Sequence, residues 1–147
     1  MTRVARELVE RFLTAAVSEH PEDMAGCYAD QVVIEMPFTA GLYPSRIETT
    51  RDDLRRRFAA VPAVRTYERL ADVHIHETAD PEVVIAEYSI HGHLVADGQP
   101  FVLPIAMVLT VRDGQIVHSR DYSDPVAGAR VLGRVPELLA SLTAARS

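Results

Sequence analysis

The sequence predicts an α+β fold in which helices come first and a curved antiparallel sheet follows. Three observations carry this. Apolar residues recur at helical spacing from Val4 as far as Val61. From Val64 onward four long segments rich in β-branched residues are separated by turn signals. The chain has 147 residues, 48% hydrophobic and 24% charged, which suits one globular domain spanning 1–147.

The elements follow in order. Val4, Leu8, Phe12 and Ala15, with Val9, Leu13 and Val17 beside them, give one apolar face of an amphipathic helix, with Thr2 as a plausible N-cap. Ser18 to Pro21 breaks it, and Pro21 suits the first turn of a second, short helix with the stripe Met24, Cys27 and Tyr28. A first short strand runs from Gln31 to Met36 and stops at Pro37. Residues 37–49 read as a loop containing Gly41 and Pro44. Thr50 and Asp53 stand at capping-box spacing before a third helix carrying Leu54, Phe58 and Val61. Arg51, Arg55, Arg56 and Arg57 on that helix read as a solvated face.

Four strands then form a meander: Val64–Glu77, Glu82–Val95, Pro100–Arg112 and Gln115–Asp124. Asp97-Gly98 and Asp113-Gly114 are hairpin signals. Val126–Leu132 and Val135–Leu142 close the chain as short helices. Strands of up to about 14 residues, where about 5–6 is usual, twist and curl. The expected shape is a cone: a curved sheet, made of the four-stranded meander plus the short first strand, covered by three N-terminal helices around an open pocket.

Composition removes several kinds of chemistry. All 15 basic residues are Arg, so no lysine Schiff base or P-loop lysine is available. Net charge is −6, against the basic face that nucleic acid requires. Cys27 is the only cysteine, which forbids an intrachain disulfide and fits a reducing, cytoplasmic setting. No apolar run approaches a membrane span, and Met1 to Val9 shows no signal-peptide h-region.

Asp121 is the foremost candidate for chemistry. Aspartate is depleted inside strands, and burial there would raise its pKa toward a value useful for proton transfer. The competing reading is a surface Asp paired with Arg120 or Arg112. The register decides its neighbours. With two-residue turns at both Asp-Gly sites, Asp121 lies opposite Ala106 and shares a face with Glu87, Ser89, His91 and His93. With a bulge at Gly114 it lies opposite Ile105, and its face becomes Tyr88, Ile90, Leu103, Ile105 and Met107. One residue of slip exchanges the two. Glu35 is the second candidate, on a face with Val33 and Pro37, either outward or sharing the pocket. His74, His76, His91 and His93 form two His-x-His pairs, but the hairpin at Asp80 sets them on the order of 20 Å apart. They do not make one metal site, and no metal or other cofactor is expected. Cys27 reads as a buried thiol.

Asp113-Gly114-Gln115-Ile116-Val117, followed by Arg120-Asp121-Tyr122-Ser123-Asp124-Pro125, resembles the last hairpin of the SnoaL-like group of the nuclear-transport-factor-2-like superfamily. The element order matches over nearly the whole chain. Limonene-epoxide hydrolases of that superfamily carry an Arg-Asp-Tyr segment whose Asp is catalytic, and Asp121 matches it. Glu35 stands before Met36-Pro37, where they place a water-holding residue. Their Arg and second Asp fall on Tyr88 and Ile90. The ungapped comparison agrees with the Tyr88/Ile90 face, which is preferred on that ground. The stretch Glu77-Thr78-Ala79-Asp80-Pro81 is similar to one in phenazine-biosynthesis A/B proteins.

The resemblance implies a homodimer joined through its sheets, with a small molecule in the cone. It implies cofactor-free acid/base catalysis, cyclising or isomerising a small apolar or ring-containing secondary metabolite. Asp121 would move the proton and Glu35 would assist or hold a water. Tyr88, Ile90, Leu103, Ile105, Met107, Phe12, Phe58 and Val33 would shape the pocket. The alternatives are epoxide hydrolysis by a water between Asp121 and Glu35, or a non-catalytic binding or dimerisation module.

Overall fold

The computed structural model describes residues 2–144. Helix α1 covers Thr2–Ala16 and buries Ala5, Leu8, Val9, Phe12, Leu13 and Ala16. Of the expected stripe Leu8, Val9, Phe12 and Leu13 are buried, whereas Val4 is exposed and Ala15 and Val17 are half-buried. The second helix, Pro21–Cys27, is 3₁₀ rather than α, with Pro21 at its start. Strand β1, Tyr28–Glu35, follows directly.

The segment expected to be loop contains a sixth strand, β2, Arg46–Thr50, antiparallel to β1 with Ile34 opposite Ile47. It was hard to read because only Ile47 and Thr49 are partly buried in this edge strand, too little for a periodic signal. Helix α2, Arg51–Ala60, starts where Thr50 Oγ1 accepts the Asp53 N–H at 3.1 Å. Its arginines are tied down on the surface: Arg55 to Asp52, Arg56 and Arg57 to Asp53. Arg51 reaches Asp30 at 3.0 Å.

The meander strands are β3 (Arg65–Glu77), β4 (Val83–Leu94), β5 (Pro100–Arg112) and β6 (Gln115–Ser123). The sheet order is β2-β1-β6-β5-β4-β3, all antiparallel except β1 beside β6. Strand β6 therefore has hydrogen-bonded neighbours on both sides. Helices α3 (Pro125–Leu132) and α4 (Val135–Ala144) complete the chain. Asp124 caps α3 by accepting the Val126 and Ala127 N–H groups.

The curvature comes from irregularities in β3, whose register shifts between Tyr67 and Arg69 and again between Ala71 and His74. Asp72 takes φ 53 at the second shift. Beside the first, Gly92 packs so closely that a Cβ would stand 2.1 Å from the Thr66 carbonyl oxygen. The inner face buries Val84, Ala86, Tyr88, Ile90, Met107 and Leu109 against α1 and its neighbours.

The register around Asp121 matches neither expected pairing. The Asp113-Gly114 turn is a two-residue loop, Arg112 opposite Gln115, with positive φ at both turn residues. The ladder then slips between Ile116 and His118, so Asp121 lies opposite Met107. At the other turn, Leu94 N–H reaches Gln99 O, which makes a four-residue loop instead of two. Ile105 thus faces Tyr88, and Leu103 faces Ile90. These offsets preserve parity, so Asp121 does share its sheet face with Tyr88, Ile90, Leu103, Ile105 and Met107.

Candidate active site

Between the helices and the inner face of the sheet lies a chamber of about 300 Å³. Phe12, Met24, Tyr28, Leu54 and Phe58 line it from the helical side and β1. Tyr88, Ile90, Ile105, Met107 and Asp121 line it from the sheet. This is the low end of the range for ligand cavities, room for one or two rings. Six of the eight expected pocket residues therefore line it: Phe12, Phe58, Tyr88, Ile90, Ile105 and Met107. Leu103 packs partly buried against the core but stands outside the chamber wall. Val33 alternates with the buried Val32 and Ile34 and so points to the opposite face of β1.

Asp121 is the only acid on the chamber wall among the described residues. Asp121 also lines a smaller recess of about 130 Å³, with Leu42, Tyr43, Gly128 and Ala129, and is itself half-buried. Burial pushes its carboxyl up to about 6, against the opposing effects of a Ser119 hydrogen bond and the His118 charge. The wholly buried Ser119 donates its hydroxyl to Asp121 Oδ1, which leaves Oδ2 for a ligand.

Three phenols extend the polar lining. Tyr88 donates to Met107 Sδ at 3.1 Å. Tyr28 is buried, lines the chamber, and its hydroxyl has no hydrogen-bond partner among the described residues. Burial and the nearby Asp121 charge push both phenols above their ordinary pKa, so they stay protonated donors. Tyr67 lines the same space. Sequence reasoning singled out Tyr88 alone. Tyr28 was legible as the end of an apolar stripe, but nothing in the pattern shows that its hydroxyl meets a cavity.

Glu35 does not join Asp121. It lies beside Arg120 in the parallel β1–β6 pairing and accepts from His118 Nε2 at 2.6 Å. Residues 118 and 120 flank Asp121 on the other face of β6, so the sheet separates the two carboxyls. The hydrogen bond from His118 lowers the Glu35 pKa below its ordinary value, with nearby arginines adding to this. The expectation of a cooperating pair is therefore corrected, and the water-holding arrangement for epoxide opening loses one of its two groups.

The histidine pairs stay apart. His76 pairs with Glu87 at 3.1 Å, and His93 contacts Glu68. No cluster among the described residues has a metal-holding arrangement. Cys27 is buried, and burial raises its thiol pKa. A wider groove of about 970 Å³ runs past Phe38, His74, Glu87, Ala106 and Tyr122. Its acids, Asp72, Glu87 and Asp124, are exposed, so this larger space has no desolvated proton carrier.

Comparison with known proteins agrees with the fold. The SnoaL-like domain family model matches residues 9–119. An uncharacterised PhzA/B-like protein of Pseudomonas aeruginosa is 28% identical over 131 residues, covering 89% of this chain and 92% of that one. A Bacillus subtilis structure with a provisional isomerase name superposes with a TM-score of 0.80 at 24% identity, covering 90% and 94% of the two chains. A Pseudomonas putida structure with a provisional polyketide-cyclase name gives a TM-score of 0.69 at 20% identity, covering 84% and 94%.

Proposed function

The chain belongs to the SnoaL-like domain family, and from that premise we propose an acid/base enzyme that cyclises or isomerises a small ring-containing metabolite without a cofactor. The observation that carries this reading is a single carboxyl, raised to about 6, on the wall of an apolar chamber. Near neutral pH such a group exists in both protonation states and can exchange a proton with substrate.

The step balances without a co-reactant. Asp121 Oδ2 takes a proton from a carbon beside a carbonyl, and the C–H electron pair passes into an enolate. The Tyr28 hydroxyl donates a hydrogen bond to the forming oxyanion. The proton then returns from Asp121 to a different carbon, or the enolate closes a ring on an internal carbonyl, whose alkoxide takes the proton. Ser119 holds the carboxyl in one orientation throughout. Secondary metabolism as the setting belongs to the same proposal, as does a homodimer through the outer sheet face. The exposed Phe38 and Val102 on that side are surface a second copy would cover. Sedimentation of a monomer at micromolar concentration would remove the dimer.

The test needs no knowledge of the natural substrate. Small cyclic ketones deuterated beside the carbonyl are incubated with the protein, and NMR follows loss of deuterium. Acceleration by the wild type, reduced at least about 100-fold in Asp121→Asn, supports the reading. Equal rates in the two proteins, or no acceleration across the panel, would leave a binding module instead.

A further inference from the structure

Among the described residues Arg65 is the one cation on the wall of the chamber that holds Asp121. Its Nε donates to the Tyr67 hydroxyl at 2.8 Å, and its Cζ lies 5.4 Å from the centre of the Tyr67 ring. The guanidinium is thus braced over a phenol. Its two terminal nitrogens make no hydrogen bond among the described residues, and no carboxylate pairs with it there. Arg51, Arg55, Arg56, Arg57 and Arg112 each have an acidic partner, and Arg65 differs from other arginines without one, such as Arg69 on His91 and Arg134 over Tyr43, in lining the chamber. A guanidinium remains charged at any ordinary pH. An anion in the chamber could take up these two free donor nitrogens.

The placement of the two charges orders the chamber. Arg65 sits opposite Leu94, at one end of β4, whereas Asp121 lies level with Ala86 toward the other end. Tyr67, opposite Gly92, and Tyr88 stand between these two levels of β4. A ligand anion near Asp121 would be repelled by its carboxylate, while one at Arg65 is attracted. The free face of a guanidinium presents two parallel N–H donors, which match a planar carboxylate. One cation without a second beside it suits a monoanion better than a phosphate dianion.

We infer that the ligand of this chamber is an apolar ring bearing a carboxylate, which Arg65 holds while the ring body extends toward Asp121. This deepens the proposed function by naming the substrate class and the residue that selects it. It rests on the reading of the chamber as the ligand site.

The test is calorimetric titration at pH 7.5 with 2-naphthoate and its neutral isostere 2-naphthamide, on wild type, Arg65→Gln and Arg65→Lys. Neither probe has an enolisable C–H, so the result is independent of Asp121 chemistry. The wild type is expected to bind naphthoate at least about tenfold more tightly than the amide, the scale of a charge-assisted bidentate contact. That preference disappears in Arg65→Gln and survives in part in Arg65→Lys, which also guards against a folding defect in the first variant. Equal affinity for the two probes in wild type, or a preference that persists in Arg65→Gln, overturns the role of Arg65 while leaving the chamber as a ligand site. Binding of neither probe overturns the chamber itself.

Discussion

Replacing Asp121 by Asn removes a charge from an apolar chamber and preserves the shape of the side chain, so the change should stabilise the protein while disabling it. The magnitude follows from the carboxyl equilibrium. Its ordinary value is 3.8 and its folded value is about 6. At about 1.4 kcal/mol for each tenfold change in ionisation, the charged form costs the folded state roughly 3 kcal/mol at most. The sign is fixed by proton counting. Below pH 3.8 the group is protonated in both states and costs nothing. Between 3.8 and about 6 the unfolded chain has lost the proton while the folded chain keeps it, so stability falls as pH rises. Above about 6 the loss is complete. Urea unfolding of both proteins from pH 3 to pH 8 isolates this term, because the other groups cancel in the difference. Asp121→Asn minus wild type should be level at the acid end, rise through the interval, and level off near pH 7 at up to about 3 kcal/mol. Asparagine can still accept the Ser119 hydroxyl, so that contact does not confound the comparison. A difference that stays flat, or that falls with pH, would refute the argument that Asp121 is desolvated.

Three other outcomes follow. Deuterium loss from the ketone panel should climb as pH rises through about 6, where Asp121 becomes the base, and Glu35→Gln should retain this profile because Glu35 lies across the sheet. Gly92→Ala should lower stability by about 3 kcal/mol or more, read by urea unfolding, since the new Cβ meets Thr66 O at 2.1 Å and Phe101 Cζ at 2.8 Å. Asp124→Ala should cost about 1 kcal/mol through the lost cap of α3, with a reduced unfolding midpoint and an unchanged slope.

Much of the fold was legible because its signals are local. The spacing of Leu8, Phe12 and Ala15, with Val9 and Leu13 beside them, pointed to α1, and Asp113-Gly114 pointed to a hairpin whose two positive φ angles suit those residue types. Strand β2 escaped because an edge strand with one apolar residue has no period to detect. The face of Asp121 was recoverable by parity, but its partner was not. A slip within Ile116–His118 and a four-residue loop before Gln99 depend on twist and packing rather than on local residue type. Asp72 at positive φ, which bends β3, is equally invisible to propensity. For the site, Asp121 stood out because a carboxyl inside a strand is rare. Glu35 stood out by its position before Met36-Pro37, and its sharing a face with Val33 was correct, but alternation does not say which face is inside. Arg65 looked like one more arginine until β3 set it against a chamber.

The acid/base role requires Asp121 to be a desolvated proton carrier. The most direct measurement is its side-chain carboxyl ¹³C shift followed by NMR from pH 3 to pH 9, assigned with Asp121→Asn. A midpoint at about 6 is the predicted result. A midpoint at or below 3.8 would mean a solvated or ion-paired carboxylate, and would contradict the acid/base role assigned to it.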